Sequence, residues 1–118
     1  MTRPDDSMAR AVFIYSTMPD PATAETIGRA LVERRLAACV NIIPGMVSIY
    51  RWQNAVERGN ELVMIVKTRA ALADKASETI RTLHPYDTPV IAVLPLESID
   101  SGTLSWLLDA TAAPAQDN

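Results

Sequence analysis

The chain has a single histidine and a single cysteine, and these are the residue types best suited to binding a metal ion. His84 stands directly before Pro85. A neutral imidazole is the commonest metal ligand in proteins, so His84 is a candidate ligand for a divalent cation. In an alternative interpretation His84 caps the helix before it, with its ring bonded to a carbonyl oxygen. The residues alone leave both interpretations open.

Cys39 is the second candidate metal ligand. Its thiolate would suit copper or zinc, but it lies among small apolar residues, and a lone cysteine in such surroundings is typical of a protein core. Without a second cysteine or histidine at ligand spacing, this chain cannot build a structural zinc site. A single cysteine also cannot form an internal disulfide, which favours a reducing, cytoplasmic location.

A third group of candidate residues combines aromatic and charged side chains on two neighbouring predicted strands. Tyr50 and Trp52 share one strand face, while Glu61 and Lys67 share a face of the partner strand. A cleft with a lysine, an acidic neighbour and aromatic walls can hold a small anion. Alternatively, the aromatic residues fill a subunit interface and the charged residues pair between chains.

Sequence motifs of the common enzyme classes are missing. The chain contains no G-x-S-x-G, G-x-G-x-x-G or P-loop pattern, which indicates a protein without catalytic activity. The net charge of −3 and the scattered basic residues argue against a nucleic-acid partner. Apolar runs are too short to cross a membrane, and the first residues do not form a signal peptide.

The elements that must position these residues follow from the apolar pattern. It predicts strands and helices in the order strand 10–17, helix from Asp20-Pro21, strand 39–52, strand 61–67, helix 70–83, strand 90–96 and helix 101–110. The two central strands form a long hairpin with a polar connection over residues 53–60. Pro44-Gly45 predicts a bulge or bend in its first arm, since proline cannot donate to a strand ladder.

This order predicts an α+β fold, the ferredoxin-like sandwich β-α-β-β-α-β with a short C-terminal helix. Its helices cover one face of an antiparallel sheet, and an apolar face left bare predicts oligomerisation. We expect one domain at residues 9–110, with flexible arms at 1–8 and 111–118.

Long segments of the chain resemble the CutA family of divalent-cation tolerance proteins. They are LAACVNIIPGMVSIYRW (36–52), ELVMIVKT (61–68) and HPYDTPVIAVLP (84–95), supported by STMPDPATAETIGRALVERRLAA and LSWL. The resemblance extends over roughly residues 11–109. It implies a cytoplasmic homotrimer with a PII-like architecture, in which the long strands pair across subunits. It also implies a role in the response to copper and other heavy-metal ions, with weak binding of Cu²⁺ or another divalent cation.

The resemblance also implies where the functional residues lie. A cleft between subunits would be lined by Tyr50, Lys67, His84 and Tyr86, and the trimer interface would include Ile49, Tyr50, Trp52 and Val63. Some family members have a cysteine in place of Ser16 and a second histidine in place of Leu83, so a copper site here would be weak. Two alternatives stay open: a PII-like signalling or small-anion-binding trimer, and a non-catalytic assembly scaffold.

Overall fold

A computed structural model describes residues 10–113. Its elements are β1 (Ala11–Met18), α1 (Pro21–Glu33), β2 (Cys39–Trp52), β3 (Ala55–Arg69), a 3-10 turn (Ala70–Leu72), α2 (Ala73–Leu83), β4 (Ile91–Pro95) and α3 (Ser101–Ala110). The strands form a 4-stranded antiparallel sheet of order β2-β3-β1-β4. The predicted α+β sandwich is confirmed.

The hydrophobic core lies between one face of this sheet and the helices. Side chains alternate along the central strands, so that Ile14 of β1 and Met64 and Val66 of β3 point toward the helices and are fully buried. The helices contribute the opposing apolar side chains Ala24, Ile27, Leu31, Ala76 and Ile80. The core therefore occupies only the face of the sheet that the helices cover.

Both ends of α1 have capping structures. At its start, the Asp20 carboxylate accepts a hydrogen bond of 2.8 Å from the Thr23 N–H, and this bond is the main reason that the pKa of Asp20 is lowered. At its end, Arg35 has a positive φ of 58°, and the Leu36 N–H donates to the Leu31 carbonyl at 2.9 Å. This is a Schellman motif with arginine where glycine is preferred.

The connection between β2 and β3 is shorter than the sequence suggested. Residues 53–60 were expected to form a loop, but β3 begins at Ala55, and only Gln53 and Asn54 link the strands, with φ of 48° and 68°. Positive φ at both central residues is characteristic of a type I′ hairpin turn. The prediction was wrong because this part of β3 is solvent-exposed on both sides, so its polar composition resembles that of a loop.

The bulge predicted in β2 is confirmed. The β2–β3 register shifts between Ile43 and Met46, and Gly45 has a φ of 87°. Within residues 10–113, the two strands continue beyond the bulge without a third strand, because β1 pairs with β3 only as far as Leu62. The radius of gyration is 15.9 Å, whereas a compact domain of this size has about 13 Å. The far half of the hairpin therefore projects from the core.

The C-terminal helix α3 is held to the sheet by Arg69, the last residue of β3. Its guanidinium donates to the Thr111 hydroxyl at 2.9 Å and to the Leu108 carbonyl at 2.6 Å. Thr111, the first residue of the expected tail, is buried and is the C-cap of α3. Residues 1–8 of the predicted N-terminal arm and residues 114–118 of the tail lie outside the described part of the chain.

Candidate functional site

His84 is the residue that ends α2, and its ring is committed to two hydrogen bonds. The side chain is 7% exposed, with Nε2 at 2.8 Å from the Thr17 carbonyl oxygen and Nδ1 at 3.1 Å from the Tyr86 amide nitrogen. A carbonyl oxygen only accepts and an amide N–H only donates. Nε2 therefore carries the proton and Nδ1 accepts, which defines one neutral tautomer.

The segment from His84 to Val90 is fastened to β1 at both ends. At the first end the His84 ring donates to Thr17. At the second, the fully buried Ser16 donates its hydroxyl to the Val90 carbonyl at 2.6 Å. Because Ser16 and Thr17 are consecutive in β1, one short stretch of strand holds the whole turn in place.

Tyr86 lies on this turn and faces an acidic environment. Its ring centroid is 4.7 Å from that of His84, and it is 43% exposed. Partial burial is the main cause that raises the pKa of Tyr86, and the nearby Glu61, Tyr50 and Asp20 raise it further. Of the predicted cleft, His84 and Tyr86 are therefore in contact, while Glu61 and Tyr50 act on Tyr86 only through their charge.

Lys67, the remaining residue of the predicted cleft, lies elsewhere in the chain. It is paired with Phe13 of β1, and its ammonium is 5.8 Å from the Phe13 ring centroid. Phe13 and Thr17 are about 13 Å apart along a strand that rises about 3.3 Å per residue. One chain alone does not bring Lys67 to Tyr86, so the predicted anion cleft would need a second subunit.

Cys39 also lies far from His84. It is opposite Lys67 in the sheet register, and its Sγ is 3.7 Å from the side-chain nitrogen of Asn41. The thiol is partly buried at the start of β2. The two metal-ligand candidates named from the sequence are thus at opposite ends of the sheet and cannot share a cation within one chain.

The donors of a single chain do not fit a divalent cation. Between residues 10 and 113, no three His, Cys, Asp or Glu side chains are grouped closely enough to hold a metal ion. Both nitrogens of His84 are already bonded, and the Ser16 hydroxyl is buried and committed to a carbonyl. A cation at His84 would first have to break one of the bonds that hold the turn.

The residues predicted at the subunit interface are mostly exposed in the single chain. Ile49 is 72% exposed, Trp52 60% and Tyr50 47%. From the strand alternation, Tyr50 and Trp52 share the side of the hairpin that carries Val63, whereas Ile49 lies on the other side. Both sides of the hairpin therefore present apolar surface.

A surface groove of about 340 Å³ lies between α1 and β2. Its floor is apolar and its rim carries both signs of charge, and the lining residues are Glu25, Gly28, Arg29, Val32, Glu33, Val40 and Ile42. None of the residues predicted to bind a ligand lines this groove. Size alone does not make it the functional site.

Comparison with known proteins identifies the family. The family model described as CutA1 divalent ion tolerance protein matches residues 12–110. The chain belongs to the CutA1 family. The divalent-cation tolerance protein CutA of Thermus thermophilus is 47% identical over 98 residues, covering 83% of this chain and 95% of that protein. Protein CutA of Mus musculus is 39% identical over 82% of this chain, which spans only 55% of the mouse protein.

Solved CutA1 structures have the same fold. The CutA1 crystal structure from Ehrlichia chaffeensis matches with a TM-score of 0.86 at 33% identity, covering 91% of this chain and 100% of that one. Relatives are described in different compartments: the Arabidopsis thaliana protein is named chloroplastic, and the Archaeoglobus fulgidus structure is described as periplasmic. In the part of this chain that the structure describes, no helix is long and apolar enough to cross a membrane.

The sequence missed Glu61 and Thr17 as neighbours of the His84 turn. Glu61 was considered only as a partner of Lys67, and a backbone carbonyl leaves no signal in the residue types. Strand alternation places Glu61 on the side of the sheet that carries Val63, but it does not reveal that Tyr86 approaches this end of β3. That proximity depends on the path of the turn after α2.

Proposed function

We propose that the protein acts in divalent-cation tolerance as a non-catalytic homotrimer whose projecting hairpin is its assembly element. Membership of the CutA1 family supports the tolerance role. The single observation that supports assembly is the exposed apolar hairpin beyond the bulge. We do not assign weak Cu²⁺ binding to His84, because the potential ligands near His84 in one chain do not fit a cation.

The hairpin needs a partner for a physical reason. An isolated two-stranded hairpin is marginally stable in water. In the part of the chain that the structure describes, the far half of β2 and β3 has no third strand, and Ile49, Trp52 and Val56 are 60–72% exposed. Burial of apolar surface contributes about 25 cal/mol per Å². Covering this hairpin with a neighbouring subunit stabilises both the strand pair and the assembly.

β4 offers the matching surface on a second copy. It is the outer strand of the sheet, so its outer edge has no strand partner within residues 10–113, and its Leu94 is 47% exposed. A hairpin that docks on the β4 edge of the next copy makes a contact between two different surfaces. Such head-to-tail contacts must close into a ring to avoid filaments. A ring of three copies is the small closed form that we propose.

A growth assay tests the tolerance role. In a bacterial strain that lacks its own CutA1 homologue, we expect the wild-type chain to restore growth on graded Cu²⁺ and Zn²⁺. Val63→Glu, which places a charge on the bare sheet face, should not restore it, whereas Thr82→Glu on the exposed surface of α2 should. Light scattering of the purified proteins gives their masses.

The outcomes of this assay separate the parts of the proposal. Failure of the wild-type chain to restore growth contradicts the tolerance role. Growth restored by a Val63→Glu protein that is monomeric contradicts the need for assembly. A cytoplasmic location is part of the proposal, and fractionation of the complemented strain tests it.

A further inference from the structure

The environment of His84 conflicts with the metal role that its residue type suggests. We infer that His84 is a positioning residue, held as the Nε2-protonated neutral tautomer, which fastens the 84–90 turn to β1 and holds Tyr86 against its own ring. These contacts lie within a single chain, so they do not depend on the proposed function.

The hydrogen bonds on the ring carry the inference. Nε2 donates to the Thr17 carbonyl and Nδ1 accepts from the Tyr86 N–H, so each ring nitrogen has a partner that only that tautomer can satisfy. A metal ion needs a ring nitrogen with a free lone pair. The only lone pair in the ring plane is the one on Nδ1, which the Tyr86 amide occupies.

Breaking either bond would be costly because the ring is buried. His84 is 7% exposed, and a buried polar group that loses its partner carries its full desolvation penalty. The turn also has a second attachment, from Ser16 to Val90, which keeps its far end close to β1. Tyr86 is therefore held in place from both sides, and His84 provides the nearer contact.

The neighbours of the ring fit a positioning role better than a ligand role. The aromatic ring of Tyr86 packs at 4.7 Å between centroids, tilted by 53°. Ser16 lies in the same short stretch of β1 but donates its hydroxyl to Val90 instead of facing the imidazole. Cys39, the other candidate ligand, is at the opposite end of the sheet, paired with Lys67.

Nitrogen NMR of the ring tests the inference directly. Because His84 is the only histidine, its two ring signals in ¹⁵N-labelled wild-type protein need no assignment by mutation. We expect the pattern of a neutral ring protonated at Nε2, unchanged when one equivalent of Zn²⁺ is added per subunit. A shift of either ring signal that saturates at one Zn²⁺ per subunit, or a ring protonated at Nδ1, overturns the inference.

Two substitutions separate the two bonds. His84→Asn keeps an acceptor near the position of Nδ1, and His84→Gln keeps a donor near the position of Nε2. We expect the Tyr86 amide to remain protected from hydrogen exchange in the asparagine variant. In the glutamine variant it should exchange roughly tenfold faster, the scale of one lost hydrogen bond. Equal exchange of this amide in both variants contradicts the assigned roles.

Calorimetric titration with Zn²⁺ and Cu²⁺ completes the test, with Cys39→Ser as a matched control at the other candidate ligand. Affinities that change by no more than about twofold in the asparagine and glutamine variants support the positioning role, since about twofold is below 0.5 kcal/mol. A loss of tenfold or more in both His84 variants, with Cys39→Ser unchanged, makes His84 a ligand after all.

Discussion

The two halves of the β2–β3 hairpin differ in what covers them. On the core side of the bulge, Met64 and Val66 are fully buried beneath the helices. On the far side, Ile49 is 72% exposed and Val56 66% exposed, although the same two strands continue. The apolar content of a strand therefore does not decide its burial. Burial is decided by whether a layer of helices covers the strand, and within residues 10–113 no such layer covers the far half.

The largest expected effect comes from placing a charge in the exposed half of the hairpin. Ile49→Glu should abolish assembly, because a carboxylate buried at an apolar interface costs several kcal/mol. Light scattering should then give the mass of one 12.9 kDa chain, or aggregates. Arg51→Glu is the control, since it lies on the same side of the same strand and is already polar. A trimer that survives Ile49→Glu would contradict our assignment of the hairpin as the assembly element.

Truncation of a core residue should act on the chain itself. Met64→Ala removes a fully buried side chain and should lower the free energy of unfolding by about 2–5 kcal/mol. Urea denaturation measures this loss, which should be similar at low and high protein concentration. Ile49→Ala should weaken association instead. Its main effect should therefore be that the urea midpoint of unfolding depends more strongly on protein concentration. If both variants behave alike, the two halves are not energetically distinct.

The end of α1 offers a smaller effect within the helical layer. Arg35 adopts a φ of 58°, which glycine reaches without steric cost. Arg35→Gly should therefore raise the free energy of unfolding by about 1 kcal/mol. Arg34→Gly is the matched control, because Arg34 has a φ of −83° and gains nothing from glycine. Thermal unfolding of both variants measures this difference. An equal change in stability in the two variants would mean that the left-handed cap is not strained.

The smallest predicted effect is electrostatic and lies where the hairpin meets the core. Glu61→Gln removes a negative charge near Tyr86, so the phenolate becomes less unfavourable and the raised pKa of Tyr86 should fall toward its ordinary value. It should remain somewhat raised, because burial is the larger cause. Carbon NMR of labelled tyrosine, assigned with Tyr86→Phe, follows the titration. Glu57→Gln should leave the pKa of Tyr86 unchanged, and equal shifts would remove Glu61 as the specific cause.

The sequence predicted most of the fold because its core elements have strong patterns. Asp20-Pro21 marked the start of α1, and Pro44-Gly45 marked the bulge. It failed at residues 53–60, where exposed strand and loop have the same polar composition. The apolar pattern of a sequence reflects which residues are buried. Residues 53–60 lie in a projecting hairpin that is mostly exposed in the single chain, so they show no such pattern.

The candidate site was harder to predict, because its geometry depends on contacts between distant parts of the chain. His84 and Tyr86 are in contact, but Lys67 is separated from the attachment of His84 at Thr17 by about 13 Å of β1. The partners of the His84 ring are a backbone carbonyl and a backbone N–H, which cannot be identified from residue types. His84 could be identified as a candidate from its residue type. The hydrogen bonds of its two ring nitrogens became known only from the fold.

The interruption at Pro44 also bears on aggregation. β2 is the other outer strand of the sheet, and a long, regular outer strand is a template on which unrelated chains can add and grow into fibrils. Proline has no N–H to offer, and Gly45 next to it turns the backbone to a φ of 87°. An incoming strand can therefore follow residues 39–43 or 46–52, but not the full length of β2. The bulge therefore limits the continuous strand edge that a misfolded neighbour can use.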